Sequence, residues 1–251
     1  MNSKNTAVIT GASSGIGREV ARRLRNTHNL VLTGRSKERL LETAGLLATS
    51  TVAIAPCEIR DCEAVAQLMC AYKPTLIIHC AGIIATCGLK DGTVKHAKEM
   101  VETNYLGTVN VLHASYNHVS AGNIGVISSI SGLFPAPGGY CVYGASKAAL
   151  NAYCESVRRE LLERGISLTI GHFSFVQTPM LSAPAASVSE ERKRLRRFKR
   201  FSAEHAARMM VKDTLMGRKE SHLSFSHRLL SIFARSAPRT FGKIIRIAAG
   251  I

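Results

Sequence analysis

The sequence predicts an α/β fold in which helices cover both faces of one doubly wound parallel sheet. Over residues 1–180, short apolar runs rich in β-branched residues alternate with segments of helical periodicity, and the first run ends in a glycine-rich turn. Strands and helices that alternate in this way imply right-handed crossovers and a parallel sheet. No repeat, linker or low-complexity tract interrupts these residues, so residues 1–251 are predicted to form a single domain.

The strands are predicted from continuous apolar runs, which are typical of strands buried on both faces of a sheet. They fall at residues 7–10, 30–36, 51–56, 75–82, 123–132 and 166–173. The helices are predicted from apolar residues three and four positions apart, as at Val20, Ala21 and Leu24. They fall at residues 18–26, 37–48, 62–72, 96–116 and 143–165, with Gly165 as the expected C-cap of the last one.

Composition is typical of a cytoplasmic globular protein. Hydrophobic residues make up 46% of the chain, which is enough for a substantial core. There is no run of roughly 18 apolar residues and no N-terminal apolar segment with a cleavage site, which argues against a spanning helix or a secretory signal. The 7 cysteines are scattered without a CxxC pair, so we expect reduced thiols and no metal site.

The net charge of +16 is concentrated in the last quarter of the chain. Residues 192–251 hold 16 Lys and Arg against 3 Asp and Glu, and seven of these basic residues lie within residues 192–200, beside Phe198 and Phe201. A basic surface of this kind favours an acidic partner, although a solvated helix face is the ordinary alternative. No recognition motif for nucleic acid accompanies it, so nucleic acid is not an expected partner.

A glycine turn lies between the first predicted strand and the first predicted helix. It has the spacing T-G-x-x-x-G-x-G, with glycines at Gly11, Gly15 and Gly17. Glycine lets the backbone approach a ligand closely, and the helix that follows directs its free N–H groups and positive dipole end at a pyrophosphate. The turn therefore favours dinucleotide binding.

Tyr143 and Lys147 lie four positions apart in the last predicted helix, so both side chains lie on one face of it. A phenol and an ammonium at this spacing are compatible with an acid–base pair as well as with an ordinary surface helix. A nearby lysine charge would lower the phenol pKa, which is near 10 when unperturbed.

Together these motifs resemble the classical short-chain dehydrogenase/reductase family. "TGASSGIG" at residues 10–17 matches its cofactor turn, and "YGASK" at residues 143–147 matches its catalytic Y-x-x-x-K. Ser129 lies 14 residues before Tyr143, where the family has its catalytic serine, and Asn104 in "TNYLG" matches its helix asparagine. The resemblance covers about residues 5–180 and implies a Rossmann-type fold, interconversion of a carbonyl and an alcohol, and a homo-oligomer.

The resemblance also implies a role for each site residue. Ser129 would hold and polarise the substrate oxygen, Tyr143 would act as general acid or base, Lys147 would bind the nicotinamide ribose, and Asn104 would support a water-mediated proton path. The expected cofactor contacts are Gly11, Ser13, Ser14, Gly15, Ile16, Gly17, Arg35, Ser36, Glu58, Ile59, Cys80, Ala81, Gly82, Tyr143, Lys147, Val176 and Thr178.

The end of the second predicted strand favours NADP(H) over NAD(H). The segment "TGRSKERL" has Arg35 and Ser36 at the turn and no acid before Glu38. Sites that prefer NAD usually have an acid there for the ribose 2′-hydroxyl, whereas an arginine accommodates a 2′-phosphate. A solvated loop is the alternative interpretation of Arg35.

The sequence departs from the family pattern in two places. It has "HCAG" at residues 79–82 where the family usually has N-N-A-G, and we expect His79 to be a hydrogen-bonded structural substitute. It has Phe173 and Ser174 where the family usually has P-G, while Thr178 is retained.

Residues 181–251 are expected to supply a substrate-covering loop and a basic C-terminal segment. The segment 239–251 has Phe241, Ile244, Ile245 and Ala248 at helical spacing with basic residues around them. Such a helix lies on an anionic membrane or packs in a core or dimer interface.

We therefore predict an NADP(H)-dependent oxidoreductase acting on a small-molecule or acyl substrate, such as a 3-oxoacyl or other lipid-like compound. It is expected in the cytoplasm, either free or peripheral at a membrane, with residues 192–200 and the C-terminal segment facing an acidic carrier protein or an anionic membrane. The alternative is a catalytically idle nucleotide-binding or scaffold protein attached through the same basic segment.

Overall fold

The computed structural model describes residues 5–47, 51–85, 89, 92–182 and 200–249. Within these ranges seven parallel strands form one sheet in the order β3-β2-β1-β4-β5-β6-β9, and β7 pairs with β8 in a separate two-stranded sheet. The strands are β1 Thr6–Thr10, β2 Asn29–Gly34, β3 Val52–Pro56, β4 Leu76–His79, β5 Gly122–Ser129, β6 Ile166–Phe173, β7 Val176–Gln177, β8 Phe201–Ser202 and β9 Glu220–Ser221. This architecture confirms the predicted fold class.

The helices follow the strands in sequence and cover both faces of the large sheet. They are α1 Gly15–Leu24, α2 Lys37–Gly45, α3 Cys62–Tyr72, α4 Val94–Val101, α5 Gly107–His118, α6 Cys141–Glu163, α7 Pro179–Ser182, α8 Ala203–Leu215, α9 Phe225–Ser236 and α10 Pro238–Ala249. None of the helices in the described residues is long and apolar enough to cross a membrane.

The core has two layers because side chains alternate between the faces of each strand. On β1, Val8 faces the layer that contains Ile77 and Val111, whereas Ile9 faces the layer that contains Ile78 and Met210. Both β1 residues are 0% exposed. Continuous apolar strands thus bury side chains on both faces, as the sequence pattern predicts.

The sheet has its topological switch point between β1 and β4, where the strand order changes direction. Ligands of open α/β sheets bind in the crevice outside the carboxyl ends of the strands at such a point. The glycine turn after β1 and residues 80–82 after β4 both lie there, and Gly11 has a positive φ of 65°. A Cβ on Gly11 would lie 2.9 Å from the Ala81 Cα, so the two segments are in close backbone contact.

The structure differs from the prediction in the segment expected to be one helix at residues 96–116. A π-helical turn, Glu102–Leu106, separates α4 from α5. Single π-helical turns within α-helices occur frequently at functional sites. This turn carries Asn104, one of the predicted catalytic residues.

The C-terminal quarter contains more regular structure than the sequence pattern indicates. Helix α10 buries Phe241 in edge-to-face contact with Phe134 and Phe233, at centroid distances of 4.8 and 5.5 Å, so part of its apolar face packs in the interior. Residues 192–199 of the basic segment lie outside the described residues, and Arg200, its last member, is exposed.

We predict that Gly17→Ala destabilises the fold, because a Cβ on Gly17 would lie 2.3 Å from the Gly11 backbone oxygen. That contact is with backbone, which cannot move aside cheaply, so we expect the free energy of unfolding to fall by about 1–3 kcal/mol. The control is Gly45→Ala, where a Cβ would meet nothing within 4 Å. Urea denaturation of both variants measures the difference, and equal stabilities would contradict the close approach.

Candidate active site

A cavity of about 970 Å³ opens at the carboxyl ends of the central strands. One part is lined by the glycine turn, by the loops after β2, β3 and β4, and by the predicted catalytic side chains. The other part is lined mainly by aromatic and aliphatic side chains from the C-terminal quarter. Of the predicted site residues, the cavity is lined by Gly11, Ser13, Ser14, Gly15, Ile16, Gly17, Arg35, Glu58, Ile59, Cys80, Ala81, Gly82, Ser129, Tyr143, Lys147, Val176 and Thr178.

The glycine turn presents the N-terminus of α1 to this cavity. Ser14 is the N-cap residue, but its side chain makes no capping hydrogen bond, and the first turn of α1 contains no acidic residue. The positive end of the helix dipole is therefore not compensated from within the helix. Gly15 has a φ of 54°, and a Cβ there would lie 3.1 Å from the Thr178 methyl group. This backbone fits a phosphate group and leaves little room for a side chain at Gly15.

Ser129, Tyr143 and Lys147 come together at the junction of β5 and α6. Ser129, the last residue of β5, hydrogen-bonds the Tyr143 hydroxyl, and its own hydroxyl accepts the Ser131 N–H at 3.1 Å. The Lys147 ammonium donates to the Ile127 carbonyl at 2.9 Å. Its Nζ lies 6.0 Å from the centroid of the Tyr143 ring. The strand thus holds both the serine and the lysine against the tyrosine.

Burial dominates the protonation of this group. It raises the pKa of Tyr143 to about 12, and the hydrogen bond with Ser129 opposes that rise. Burial also lowers the pKa of Lys147 to about 8. Lys147 is not among the groups that shift the Tyr143 pKa, so the expectation that the lysine lowers this pKa stays a prediction. The phenol is protonated at neutral pH, which suits a proton donor.

Asn104 does not line the cavity but holds a loop that does. Its Oδ1 accepts the Ile83 N–H at 2.8 Å, and its Nδ2 donates to the Ile83 carbonyl at 2.9 Å and to Ser146 Oγ at 3.1 Å. A Cβ on Gly82 would lie 3.2 Å from Asn104 Oδ1 and 3.7 Å from Lys147 Nζ. Asn104 therefore fixes the loop after β4 beside Lys147, and the water-mediated proton path stays a prediction.

His79 belongs to a directed chain of buried hydrogen bonds between β1, β4 and the π-helical turn. The Thr108 hydroxyl donates to the Asn104 carbonyl at 2.8 Å, so its oxygen accepts from His79 Nε2 at 3.1 Å. His79 Nδ1 then accepts from the Thr10 hydroxyl at 2.7 Å. Thr10 in turn accepts the Ala81 N–H at 3.1 Å. The chain assigns the proton of the neutral ring to Nε2.

Helix α2, which follows the loop after β2, carries a second cation, Arg39, that the sequence pattern did not single out. Arg35 is exposed, and both Arg35 and Arg39 line the cavity. The Ser36 hydroxyl caps α2 by accepting the Arg39 N–H at 3.3 Å, and it donates to Glu38 at 2.8 Å. Arg39 lies in the first turn of the helix that was predicted to begin at residue 37, four positions after Arg35, and that nearness was the available signal for it.

The carboxylate of Glu58, which follows β3, is less available to a ligand than its place on the cavity wall suggests. Arg60 binds its carboxylate at 2.9 Å. Burial would raise the pKa of Glu58, but the hydrogen bonds from Arg60 and the charge of Arg35 lower it overall. The carboxylate is therefore engaged by Arg60.

The far end of the cavity is apolar, with a small polar group set into it. Its walls are formed by Phe134, Tyr140, Phe175, Phe201, Leu230, Phe233, Phe241, Ile244, Ile245 and Ala248. Ser224, Ser226 and His227 are the polar members. His227 is 4% exposed, and neither of its ring nitrogens has a hydrogen-bond partner within the described part of the chain. Its isolated position in the sequence carried no signal for this role.

His227 has two buried histidines as neighbours, His172 and His222. The ring centroids of His222 lie 5.8 Å from His172 and 6.2 Å from His227. Burial, and then the charges of the other two histidines, lower the pKa of His227 to about 4. No group of three His, Cys, Asp or Glu side chains in the described ranges is arranged to hold a metal ion. His227 is therefore a neutral hydrogen-bonding group at the cavity wall.

Comparison with known proteins decides the family. The profile of the short chain dehydrogenase family matches residues 5–188. The chain belongs to the short-chain dehydrogenase family. Its match includes the glycine turn, the serine, the tyrosine and the lysine.

Relatives of this dehydrogenase agree with that assignment. An uncharacterised oxidoreductase of Staphylococcus saprophyticus is 33% identical over 186 residues, which cover 69% of this chain and 79% of the relative. A short chain dehydrogenase from Burkholderia cenocepacia in complex with NADP is 25% identical, with a TM-score of 0.75 over 87% of this chain and 95% of that chain. A short chain dehydrogenase/reductase from Burkholderia phymatum in complex with NAD is 22% identical, with a TM-score of 0.79 over 93% and 94% of the two chains.

We predict that His79→Leu destabilises the protein and changes its response to acid. Burial, and then the charge of Lys147, lower the pKa of His79 to about 3. Below pH 6.5 the unfolded chain therefore binds a proton that the folded chain does not, so this contribution to stability is lost as the pH falls from 6.5 toward 3. His79→Leu should remove that component and, by leaving the Thr10 hydroxyl without an acceptor for its proton, cost about 1–3 kcal/mol at neutral pH.

Denaturation curves at several pH values measure both effects. The control is His96→Leu, which replaces an exposed histidine on α4 and should change little. A wild-type pH dependence in His79→Leu would contradict the assignment of a neutral buried ring.

Proposed function

We propose that this dehydrogenase is an NADP(H)-dependent reductase of carbonyl compounds, working in reverse as an alcohol dehydrogenase, with Tyr143 as its general acid or base. The observation that supports it best is the convergence of Ser129, Tyr143 and Lys147 on a cavity that also reaches the glycine turn. A nucleotide held at the turn would extend toward these side chains along the carboxyl edge of the sheet. The glycine cradle and the uncompensated helix end fit such a ligand.

The protein side of the reaction follows from the site geometry. A bound nicotinamide supplies the hydride that the carbonyl carbon accepts. Ser129 donates a hydrogen bond to the carbonyl oxygen and polarises it. Tyr143, protonated at neutral pH, gives its proton to the same oxygen as negative charge develops there. The Lys147 ammonium, held by the Ile127 carbonyl, stabilises the phenolate that forms.

The preference for NADP(H) rests on the two cations near the end of β2. Arg35 and Arg39 both line the cavity, and a guanidinium pairs well with phosphate oxygens. Glu38, the nearest acid, accepts from Ser36 at 2.8 Å and is not among the cavity-lining residues. One solved relative is in complex with NADP and another with NAD, so the proposed preference for NADP(H) rests on Arg35 and Arg39.

The apolar end of the cavity favours a lipid-like substrate, such as a 3-oxoacyl compound. Phenylalanine side chains from five separate segments line it, and large apolar substrates gain the most from burial in such walls. His227 supplies a neutral hydrogen-bonding group there. A substrate with a second polar group, remote from the reacting carbonyl, would satisfy it.

The competing proposal is a catalytically idle nucleotide-binding protein. Such a protein would need the glycine turn but not a protonated tyrosine beside a serine and a lysine. Turnover with a panel of ketones and 3-oxoacyl thioesters separates the two proposals, and NADPH binding without turnover of any member would favour the idle protein.

We predict that Tyr143→Phe lowers kcat by about 10²–10⁴-fold and leaves NADPH binding nearly unchanged, because only the transferable proton is removed. The matched control is Tyr153→Phe, ten residues later on α6, whose ring packs edge-to-face against Tyr105. Steady-state kinetics and NADPH titration give the two quantities. If Tyr143→Phe retained more than about a tenth of the activity, the proposed role of Tyr143 would be wrong.

We predict that Arg35→Ala and Arg39→Ala each weaken NADPH binding about 10–100-fold, with little effect on NADH. The lost charge-assisted hydrogen bonds involve only the 2′-phosphate. Lys37→Ala is the control, because Lys37 is exposed on the same turn and is not among the cavity-lining residues. Fluorescence titrations with both nucleotides measure the effect, and equal losses for NADPH and NADH would refute the assignment.

A further inference from the structure

Helix α9 buries polar side chains and exposes large apolar ones, which is the reverse of the usual arrangement. It buries His227, Ser231 and Ala234, whereas Phe225, Leu229 and Ile232 on the opposite side are 74%, 52% and 49% exposed. A surface helix ordinarily buries its apolar stripe and exposes its polar one. Exposed apolar side chains that form a continuous stripe indicate a surface that another molecule covers.

Helix α10 extends this apolar surface. It packs beside α9 through the ring contact between Phe233 and Phe241 at 5.5 Å, and it leaves Ile244 and Ile247 46% and 77% exposed. We call the side chains of Phe225, Leu229, Ile232, Ile244 and Ile247 the C-terminal apolar face.

Basic residues accompany the C-terminal apolar face. Residues 225–249 contain five Lys and Arg and no Asp or Glu. Arg239, Lys243 and Arg246 are exposed, and their spacing places them on one side of α10, away from its apolar stripe. An apolar face with cations around it is complementary to an anionic lipid surface.

The apolar face is also continuous with the substrate end of the cavity. Leu230, Phe233 and Ile244 line the cavity, and they are 48%, 40% and 46% exposed. Met180, on α7, lines the cavity and is 41% exposed as well. A molecule dissolved in a lipid layer against this face could enter the cavity without crossing water.

Charge decides between the occupants that an apolar face could have. Arg235 is paired with Glu220 at 2.6 Å, but a second copy of this chain would still bring Arg228, Arg239, Lys243 and Arg246 against the same four residues, and such like-charge contacts are unfavourable. An acidic carrier protein would pair with the cations, but an acidic surface would not cover the exposed apolar side chains of Phe225 and Ile247. An anionic bilayer satisfies both features.

We propose that the C-terminal apolar face docks on an anionic lipid bilayer and that the cavity takes a lipid-dissolved substrate from it. Docking is peripheral: the apolar side chains enter the outer layer of the bilayer, and the lysine and arginine side chains contact lipid phosphates. The docking stands on the surface alone, whereas delivery of a substrate rests on the proposed carbonyl reductase function.

Vesicle sedimentation with the full chain tests the docking. The probes are vesicles of phosphatidylcholine alone and of phosphatidylcholine mixed with phosphatidylglycerol. The wild type should sediment with the mixed vesicles and much less with the neutral ones, and added salt should weaken the binding. Leu229→Gln/Ile232→Gln and Arg239→Gln/Lys243→Gln/Arg246→Gln should each reduce the partition coefficient about 10-fold or more.

Two further variants make the result specific. Leu162→Gln replaces a leucine on α6 that is 65% exposed outside this face, and it should bind mixed vesicles as the wild type does. Tyr143→Phe should also bind normally, so loss of activity and loss of docking are distinguishable. Circular dichroism checks that each variant is folded.

Three outcomes would overturn the proposal. The first is no sedimentation of the wild type with mixed vesicles. The second is equal binding by the wild type and both multiple variants. The third is a dimer, measured by light scattering without lipid, that Leu229→Gln/Ile232→Gln converts to a monomer, since the face would then belong to a second copy. Vesicle binding without reductase activity would leave the docking intact and refute only the proposed function.

Discussion

The candidate active site depends on the contact between two backbone segments at the carboxyl ends of β1 and β4. Gly11 lies against Ala81 with no room for a side chain between them, and Thr10 holds the Ala81 amide. From there a chain of buried hydrogen bonds continues through His79 and Thr108 to the turn that carries Asn104. Each group in this series of hydrogen bonds depends on its neighbour as a partner, because a buried polar atom without a partner is costly. The glycine turn and the loop after β4 are therefore positioned together.

Burial at the candidate active site disfavours the charged forms of its titratable side chains. Burial pushes both Tyr143 and Lys147 toward their neutral forms, and it does the same to His79 and His227. A reaction that adds a hydride and a proton to the same carbonyl leaves a neutral product in such a cavity. In the proposed reaction, proton donation leaves Tyr143 as a phenolate, and the Lys147 ammonium and fixed hydrogen bonds compensate this charge without reorganisation.

The sequence predicted the central sheet well because continuous apolar strands and glycine positions are local signals. Strand ends shifted by up to a few residues; the run at residues 123–132, for example, is a strand only from Gly122 to Ser129. Tyr143 and Lys147 share a helix, so their proximity also followed from spacing alone. The hydrogen bond between Ser129 and Tyr143 did not, because it depends on how α6 packs against β5.

Other features depended on tertiary contacts that no local pattern encodes. The π-helical turn has the same residue types as a regular helix, and it forms where Asn104 binds the backbone of Ile83. Arg39 reaches the cavity because of the direction in which α2 leaves β2. His227 is buried because α9 turns its polar side inward, against the rule by which amphipathic helices are interpreted.

The π-helical turn depends on one additional residue in the chain, and this residue serves the candidate active site. A π turn contains one residue more than an α turn in the same space, so deletion of one residue between 102 and 106 would leave a continuous α-helix with better backbone geometry. The same deletion would change the direction of the side chains within the turn and withdraw Asn104 from the Ile83 backbone that it binds. A regular α-helix would therefore be more favourable for the backbone of this segment, whereas the position of Asn104 in the candidate active site requires the π-helical turn. A relative that did not need Asn104 at this position would be free to lose the extra residue, and its chain would be one residue shorter here.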